Sequence, residues 1–565
     1  MSKDRLIYLP LGGAGEIGMN LYVYGYGAKD KEKFIIVDLG VAFPDMDSTP
    51  GVDLIFPDIA WLKERRDRIE GIFITHAHED HIGAIGHLWK ELGAPVYART
   101  FTASIAKRKL EENGQSARIV NVVSPWPESI KVGPFSVSYL PVPHSVPESS
   151  ALVIDSPKGR LIHTGDFKLD EHPVVGDRFD KELWQEVSST GVRALICDST
   201  NVFSDSVGRS ESEVGPEIRK LIEACSNMVV TTTFASNIAR IKSIAEAGEA
   251  AGRSVCLMGR AMKRMIEVAL ETGVLSEFPT VISPEDAKSI PKENLLLIVT
   301  GSQGERRAAS SQLANGKYQG ITLSEGDLFL FSSKTIPGNE RGVIKIINQL
   351  SEKGVDVVDD SSGNYHVSGH ANRPELSILH DIVSPQFLIP MHGEHRHLRE
   401  HVKLGESKGV SALLATNGSM VDLTGNQIKI IDHIDVGRVY LDGASKVGAL
   451  DGIIRDRIKL AVNGIIVVNI IFDEDDELLG DPWCEIRGLT DFGQSQCNFI
   501  DVLEEDLSQY LGRSLGDALK DDDKLEKDIK RVARQTALTE IGKKPEVSVI
   551  ICLLYTSDAA DDVIS

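Results

Sequence analysis

The stretch Phe73-Ile74-Thr75-His76-Ala77-His78-Glu79-Asp80-His81-Ile82-Gly83 sets three imidazoles and two carboxylates behind an apolar run and ahead of a helix-like one. Neutral imidazole and carboxylate are what divalent zinc or manganese takes. On an extended turn, His-x-His-x-Asp-His can aim two rings at one ion while the next pair addresses a second. An ordinary polar loop has no need of four ligand-type residues in so short a span. A binuclear metal site is therefore expected.

At 565 residues, 42% hydrophobic and 25% charged, the chain reads as soluble globular material with length for about three domains. Cys197, Cys225, Cys256, Cys484, Cys497 and Cys552 show no Cys-x-x-Cys spacing, and the first residues lack the apolar segment of a secretory signal. A reducing, cytoplasmic setting is expected. No run approaches the ~18 apolar residues of a membrane span, so no membrane role is expected. The formal net charge of -22 argues against binding nucleic acid through a global basic surface, and leaves room for a locally positive groove.

Residues 5–40 alternate in strand fashion. Between the first two strands, Gly13-Ala14-Gly15-Glu16-Ile17-Gly18 fits the dinucleotide fingerprint G-x-G-x-x-G, with Asp38 at the distance that fingerprint wants. The fingerprint also needs a helix opening at the glycines, and residues 19–26 are alternating and aromatic, so tight turns are the better reading. Asp38, ending an apolar strand, is placed to orient a ligand imidazole. A helix is expected over 59–70, a strand over 71–75, a helix over 82–92 and a strand over 95–98. Two more ligand types then follow strands: His144, in Pro143-His144-Ser145, and Asp166, in Thr164-Gly165-Asp166.

Residues 211–360 change character, to helices alternating with apolar strands at 228–232, 254–258, 295–300, 327–331 and 356–358. Such alternation implies a parallel sheet covered on both faces. Loops after three of these strands open helices with small residues, whose free N–H groups suit phosphate. No histidine falls between His172 and His366; then come Ser368-Gly369-His370-Ala371-Asn372 and Met391-His392-Gly393-Glu394.

Asp38, the His76-x-His78-x-Asp80-His81 stretch, His144 and Asp166, each after a strand, resemble the four motifs of the metallo-β-lactamase fold. Asp198, His370 and His392 resemble the three additional motifs of its β-CASP nuclease branch. A histidine at the last of these marks the RNA-cleaving side of that branch. Together with Leu11-Gly12-Gly13-Ala14-Gly15-Glu16-Ile17-Gly18, Thr300-Gly301-Ser302-Gln303-Gly304-Glu305 and Ile336-Pro337-Gly338-Asn339-Glu340, the chain from residue 5 to about 550 resembles the bacterial ribonuclease J family.

The resemblance implies an α/β fold: a four-layer αββα metallo-β-lactamase sandwich (1–208 and 368–430), an inserted parallel α/β β-CASP domain (209–367), a linker (431–449) and a small C-terminal α+β domain (450–554). It implies one metal held by His76, His78 and His144 and a second by Asp80, His81 and His392, with Asp166 bridging and Asp38 behind a ligand ring. Zinc is expected, with manganese and magnesium as the other ions such a site admits. Two ions ~3.5–4 Å apart polarise a phosphate and lower the pKa of water. Asp80 would help deprotonate that water. His370, paired with Asp198, would protonate the leaving 3′-oxygen or steady the phosphate. Ser236, Asn237, Ser368, Gly369, His370 and Asn372 are the expected RNA-phosphate contacts. The implied activity is a 5′-to-3′ exonuclease favouring 5′-monophosphate RNA, with endonuclease activity, in RNA maturation and decay.

Beyond His433 no histidine occurs, and 457–468 reads as a hairpin around Asn463-Gly464, followed by helices at 499–511 and 524–541 and a strand at 547–553. In the family this module serves self-association, so a homodimer or homotetramer is expected, with other RNA-decay proteins as a further class of partner. Residues 555–565 break the pattern and read as a disordered or foreign tail. Two other functions bear comparison. A metallo-hydrolase of a small lactone or thioester has no use for the 211–360 insertion or His370. An idle RNA-binding scaffold predicts lost ligands, and every ligand position is filled.

Overall fold

The computed structural model describes residues 4–514, apart from 474 and 476, and residues 521–554; the expected tail at 555–565 lies outside them. It forms two compact units, one from the described parts of Met1–Ala42 and Ile55–Arg438, the other from Phe43–Leu54 and the described residues after Val439.

The first unit is built on two large sheets. One runs in the order Lys429–His433, Ser419–Asp422, Arg5–Gly12, Leu21–Gly27, Lys33–Val37, Ile69–Phe73, Val96–Ala98, Val120–Val122. The other runs Ser411–Ala412, Phe387–Met391, Val192–Asp198, Gly159–His163, Ser150–Ser156, Phe135–Pro141, Ile130–Val132. Alternation along their strands turns one set of apolar side chains inward, so that Leu6, Tyr8, Tyr24, Ile35 and Phe73 of one sheet share a core with Val137, Tyr139, Ile154, Ile196 and Ile389 of the other. The outer face of the second sheet packs Leu195, Cys197 and Leu388 against helix residues Trp184, Leu376, Leu379 and Leu404. That is the αββα layering of the metallo-β-lactamase sandwich. The middle of the chain forms its own sheet, in the order Val281–Ile282, Ser254–Met258, Leu295–Val299, Val229–Thr232, Leu328–Phe331, Asp356–Val358, with every pair parallel. Buried on both faces, these strands read as continuous apolar runs.

In the second unit the strands Trp483–Arg487, Ile465–Phe472 and Glu546–Leu553 form a sheet, and Ile466, Val468 and Phe472 pack against Leu503, Leu507, Ile529 and Ala533 of the helices Phe499–Ser514 and Asp522–Ile541. The expected hairpin at 457–468 is instead a helix, Ile453–Asn463, followed directly by the strand. Asn-Gly serves a helix end as well as a turn, and here Gly464 takes φ +72° just beyond the last helical residue. The expected helix at 59–70 is only Ala60–Lys63 and a single turn at Arg66–Arg68 before the strand Ile69–Phe73. The expected linker at 431–449 holds strands: Lys429–His433 pairs with Ser419–Asp422, and Arg438–Asp442 with Ser445–Gly448. No described helix is long and apolar enough to cross a membrane.

The strands Lys33–Val37 and Ile69–Phe73 are parallel, as are Gly159–His163, Val192–Asp198 and Phe387–Met391. Their carboxyl ends share one edge of each sheet, where loops carry polar side chains away from the core. At that edge the loop after Val37 lies backbone to backbone with the histidine loop. Leu39 N donates to His81 O at 2.8 Å, Asn20 N to Asp80 O at 2.9 Å and Val41 N to Glu79 O at 3.1 Å. A Cβ on Gly40 would overlap the Asp80 carbonyl. Gly40→Ala is therefore expected to lower the unfolding free energy by roughly 1–3 kcal/mol, measured by urea denaturation, and to lower metal affinity with it.

Candidate metal centre

Three ring nitrogens face one another at the sheet edge. His78 Nδ1 lies 3.2 Å from His76 Nε2 and 3.0 Å from His144 Nε2. The far side of two of these rings is already committed. Thr75 Oγ1 donates to Asp38 Oδ2 at 2.9 Å and so accepts from His76 Nδ1 at 3.0 Å, while His144 Nδ1 donates to the Gly369 carbonyl at 2.6 Å. A neutral imidazole has one N–H. With those protons spent outward, His76 Nε2 and His144 Nε2 are bare lone pairs, converging with His78 Nδ1 on one point. Burial, reinforced by neighbouring imidazoles, pushes the pKa of His76 and His144 well down and that of His78 to about 4, which keeps the rings in the form a metal binds.

Asp166 joins this set to a second. Its Oδ2 lies 3.8 Å from His76 Nε2, 3.8 Å from His144 Nε2 and 3.2 Å from His81 Nε2. Its buried Oδ1 makes no hydrogen bond among the described residues and lies 3.3 Å from His392 Nδ1. His81 Nδ1 donates to Asp38 Oδ2 at 2.7 Å, so that Nε2 is the nitrogen turned to Asp166. His392 Nδ1 donates to Thr200 Oγ1 at 2.9 Å, because that hydroxyl gives its own proton to Asp198 Oδ1 at 2.7 Å. His392 Nε2 then faces Asp80 Oδ2 at 3.1 Å. His76, His78, His144 and Asp166 form one group able to hold an ion, and Asp80, His81, Asp166 and His392 another. Facing lone pairs, an orphaned carboxylate oxygen and a donor set of imidazole and carboxylate all fit two divalent ions. Burial works against charge on His81 and His392, yet the surrounding carboxylates prevail, raising His81 well above its ordinary value and His392 to about 10. An ion there displaces protons.

Asp38 and His392 occupy the left-handed region, at φ +64° and +49°. Such backbone persists where its surroundings enforce it. At His392 the restraint comes from the glycine-rich turn, since its N–H donates to Gly13 O at 2.7 Å and the short strand Gly393–Glu394 pairs with Ala14–Gly15. The fingerprint-like glycines thus hold a candidate ligand loop, and no helix opens at them.

His370 Nδ1 donates to Asp198 Oδ2 at 2.7 Å, and its ring stacks on His392 with centroids 5.6 Å apart. Burial opposes its charge, but Asp198 and Asp166 raise its pKa above the usual value. At 22% side-chain exposure, against 2% for His392, it is the imidazole of this half that substrate can reach. A cavity of about 140 Å³ opens beside it, lined among others by Lys168, Asn201, Arg209, Lys334, Ser368 and Asn372.

Of the expected phosphate contacts, Ser368, His370 and Asn372 line that cavity, and Ser236 and Asn237 do not. Asn237 caps the helix Ile238–Ala250, accepting from Arg240 N at 3.0 Å. The Gly369 carbonyl is occupied by His144, and Ser368 Oγ accepts from Asn201 Nδ2 at 2.7 Å. Asn372 Oδ1 also accepts from Asn201, while its Nδ2 donates to Ser206 O. Asn201, Thr75 and Thr200 were not singled out in the sequence, although a hydroxyl adjacent to His76 and a Thr two residues past Asp198 were visible there. Asn20 was missed too: its Nδ2 lies 2.9 Å from His81 Nε2 and 3.0 Å from the Asp80 carbonyl.

Comparison with known proteins shows the family. The family model of the metallo-beta-lactamase superfamily matches residues 20–194, and that of the Zn-dependent metallo-hydrolase RNA specificity domain matches 362–415. The ribonuclease J beta-CASP and C-terminal domain models match 226–350 and 452–554. A ribonuclease J of Sinorhizobium meliloti is 40% identical over 554 residues, covering 98% of each chain. The chain belongs to the ribonuclease J family. A ribonuclease J of Mycobacterium tuberculosis is 36% identical, covering 92% of this chain and 93% of its own, and ribonuclease J 1 of Streptococcus pyogenes is 35% identical over 83% of each. A solved protein of unknown function from Enterococcus faecalis V583 shares the fold with a TM-score of 0.51 and 19% identity, covering 74% of this chain and 100% of its own. Membership of the family makes the protein a nuclease of the metallo-hydrolase class.

Thr75→Val removes the hydroxyl that links His76 to Asp38 while keeping the side chain's bulk. It is expected to weaken zinc or manganese binding by about 10–100-fold, read by competition with a chromophoric chelator.

Proposed function

We propose that the chain is a metal-dependent ribonuclease that removes nucleotides 5′ to 3′ from RNA ending in a 5′-monophosphate and also cuts internally, in cytoplasmic RNA maturation and decay. The observation that carries this reading is the carboxylate of Asp166 shared between two converging ligand sets, with the Asp198–His370 pair beside them at a cavity carrying Lys168, Arg209 and Lys334.

In this reading His76, His78 and His144 would hold one ion and Asp80, His81 and His392 the other, with Asp166 within reach of both. Zinc suits both sets of imidazole and carboxylate, with manganese or magnesium as the other ions such a site admits. Bound there, two divalent ions polarise a phosphate and bring the ionisation of water near neutral pH. Asp80, whose side chain is 28% exposed, takes the proton of the attacking water. The water oxygen bonds to phosphorus, the P–O3′ bond breaks, and His370 delivers a proton to the departing 3′-oxygen, with Asp198 stabilising the imidazolium until transfer. A 5′-phosphate and a 3′-hydroxyl result. Asn201 holds the 368–372 loop so that His370 faces the cavity, and the exposed Lys334 there meets the backbone of an incoming single strand. Exposed apolar side chains of the second unit, among them Leu450, Trp483 and Phe492, support self-association into a homodimer or homotetramer. Other RNA-decay proteins would then be partners of that assembly.

The test is purified protein with manganese or magnesium and RNA labelled at a 5′-monophosphate end. Labelled mononucleotide should appear, more slowly from a 5′-triphosphate. His76→Ala should lose more than about a hundredfold in rate, and His370→Ala about 10²–10⁴-fold with its metal content intact. Intact RNA beside a hydrolysed lactone would overturn the reading.

A further inference from the structure

Away from Asp166, a thiol and two imidazoles meet in an apolar interior. Cys197, His380 and His401 place their candidate ligand atoms within 4.8 Å of one another. Cys197 and His401 are fully buried and His380 is 2% exposed. Leu376, Leu379, Val383 and Leu388 belong to the same core as Cys197. Polar groups buried among such neighbours need partners.

The hydrogen bonds leave these partners incomplete. The Ser199 hydroxyl donates to the Cys197 carbonyl at 3.3 Å and accepts from His401 Nδ1 at 2.9 Å. His401 Nε2 is then a bare lone pair, 3.1 Å from His380 Nε2. In the metal-free protein one proton joins the two Nε2 atoms, while His380 Nδ1 has no hydrogen-bond partner among the described residues. An ion taking the place of that shared proton would meet both Nε2 lone pairs, with the Cys197 sulfur within 4.8 Å of them. Two nitrogens on one tetrahedral zinc are ~3.3 Å apart, close to the spacing seen.

The positions of the three residues in the chain add a second argument. Cys197 immediately precedes Asp198 at the end of the strand Val192–Asp198. His380 lies on the helix Arg373–Val383, which opens just after His370, and His401 on the helix His395–Ser407, which opens just after His392. Each residue thus stands on, or next along the chain from, the element that sets one of Asp198, His370 and His392.

We propose that Cys197, His380 and His401 hold a structural zinc ion, separate from the hydrolytic pair, which pins together the strand and two helices that position Asp198, His370 and His392. Thiolate and imidazole select zinc over magnesium or manganese; with three protein ligands the fourth position of the tetrahedron falls to a water, which sets this site apart from zinc sites closed by four side chains. Because all three ligands are buried, the ion is acquired as the chain folds and resists chelators that strip the hydrolytic pair.

The experiment uses full-length protein produced in zinc-depleted, cobalt-supplemented medium. No thiol belongs to the hydrolytic set, so a thiolate-to-cobalt charge-transfer band in the near ultraviolet reports on the third site. The band should appear in the unaltered protein and in His76→Ala, and vanish in Cys197→Ser and His401→Gln with one metal fewer per chain by elemental analysis. A folded unaltered protein without the band, or a band that survives Cys197→Ser, overturns the proposal. If Cys197→Ser does not fold, zinc-edge X-ray absorption of the zinc-loaded unaltered protein decides. A sulfur neighbour at about 2.3 Å that disappears in His380→Gln supports the site, and a shell of nitrogen and oxygen alone overturns it.

Discussion

A neutral imidazole has a single N–H, and the centre depends on where each of those protons is spent. Thr75, Gly369, Asp38 and Thr200 take the outward protons of His76, His144, His81 and His392. Each commitment fixes its ring's orientation; on the neutral His76 and His144 it leaves one lone pair on the inward nitrogen, and on His81 and His392, which the carboxylates favour protonated, that lone pair appears when an ion displaces the inward proton. Had any of these partners been apolar, the ring could turn its proton inward and the convergence on a cation would be lost. Asp38 serves two rings, His81 directly and His76 through Thr75. It does so from a left-handed backbone that the facing histidine loop, packed against Gly40, holds in place.

The sandwich makes this economical. Parallel strands end at a common edge, so residues far apart in the chain arrive together by direction alone: Asp38 and His76 from one sheet, Asp166, Asp198 and His392 from the other. The inserted sheet, by contrast, has its own core and contributes no histidine to the metal sets. It contributes Lys334 to the cavity beside His370, so the division of labour follows the division of cores.

What was legible in the sequence was whatever depends on residue type and order. Four ligand-type side chains between His76 and His81, then His144, Asp166 and His392 each after an apolar run, carry their chemistry in their names. The inserted parallel sheet was legible because strands buried on both faces have no polar alternation to blur them. What could not be read was whatever depends on direction. Nothing in the sequence says that His78 turns Nδ1 inward where His76 and His144 turn Nε2, or that the Gly369 carbonyl faces His144 and not a phosphate. Asn237 looked like a phosphate contact because helix caps and anion sites use the same residues, and here its oxygen is spent on Arg240. The Asn463-Gly464 pair misled for a related reason, since a left-handed glycine ends a helix as readily as it turns a hairpin.

The central claim is that two ions share Asp166 between the sets so oriented. Its most direct test is anomalous diffraction from crystals of the full chain loaded with manganese. The account predicts two peaks ~3.5–4 Å apart, one bounded by His76 Nε2, His78 Nδ1 and His144 Nε2, the other by Asp80, His81 Nε2 and His392 Nε2, with Asp166 reaching both. A single peak in fully loaded crystals, or a pair that leaves out His144 or His392, would contradict it.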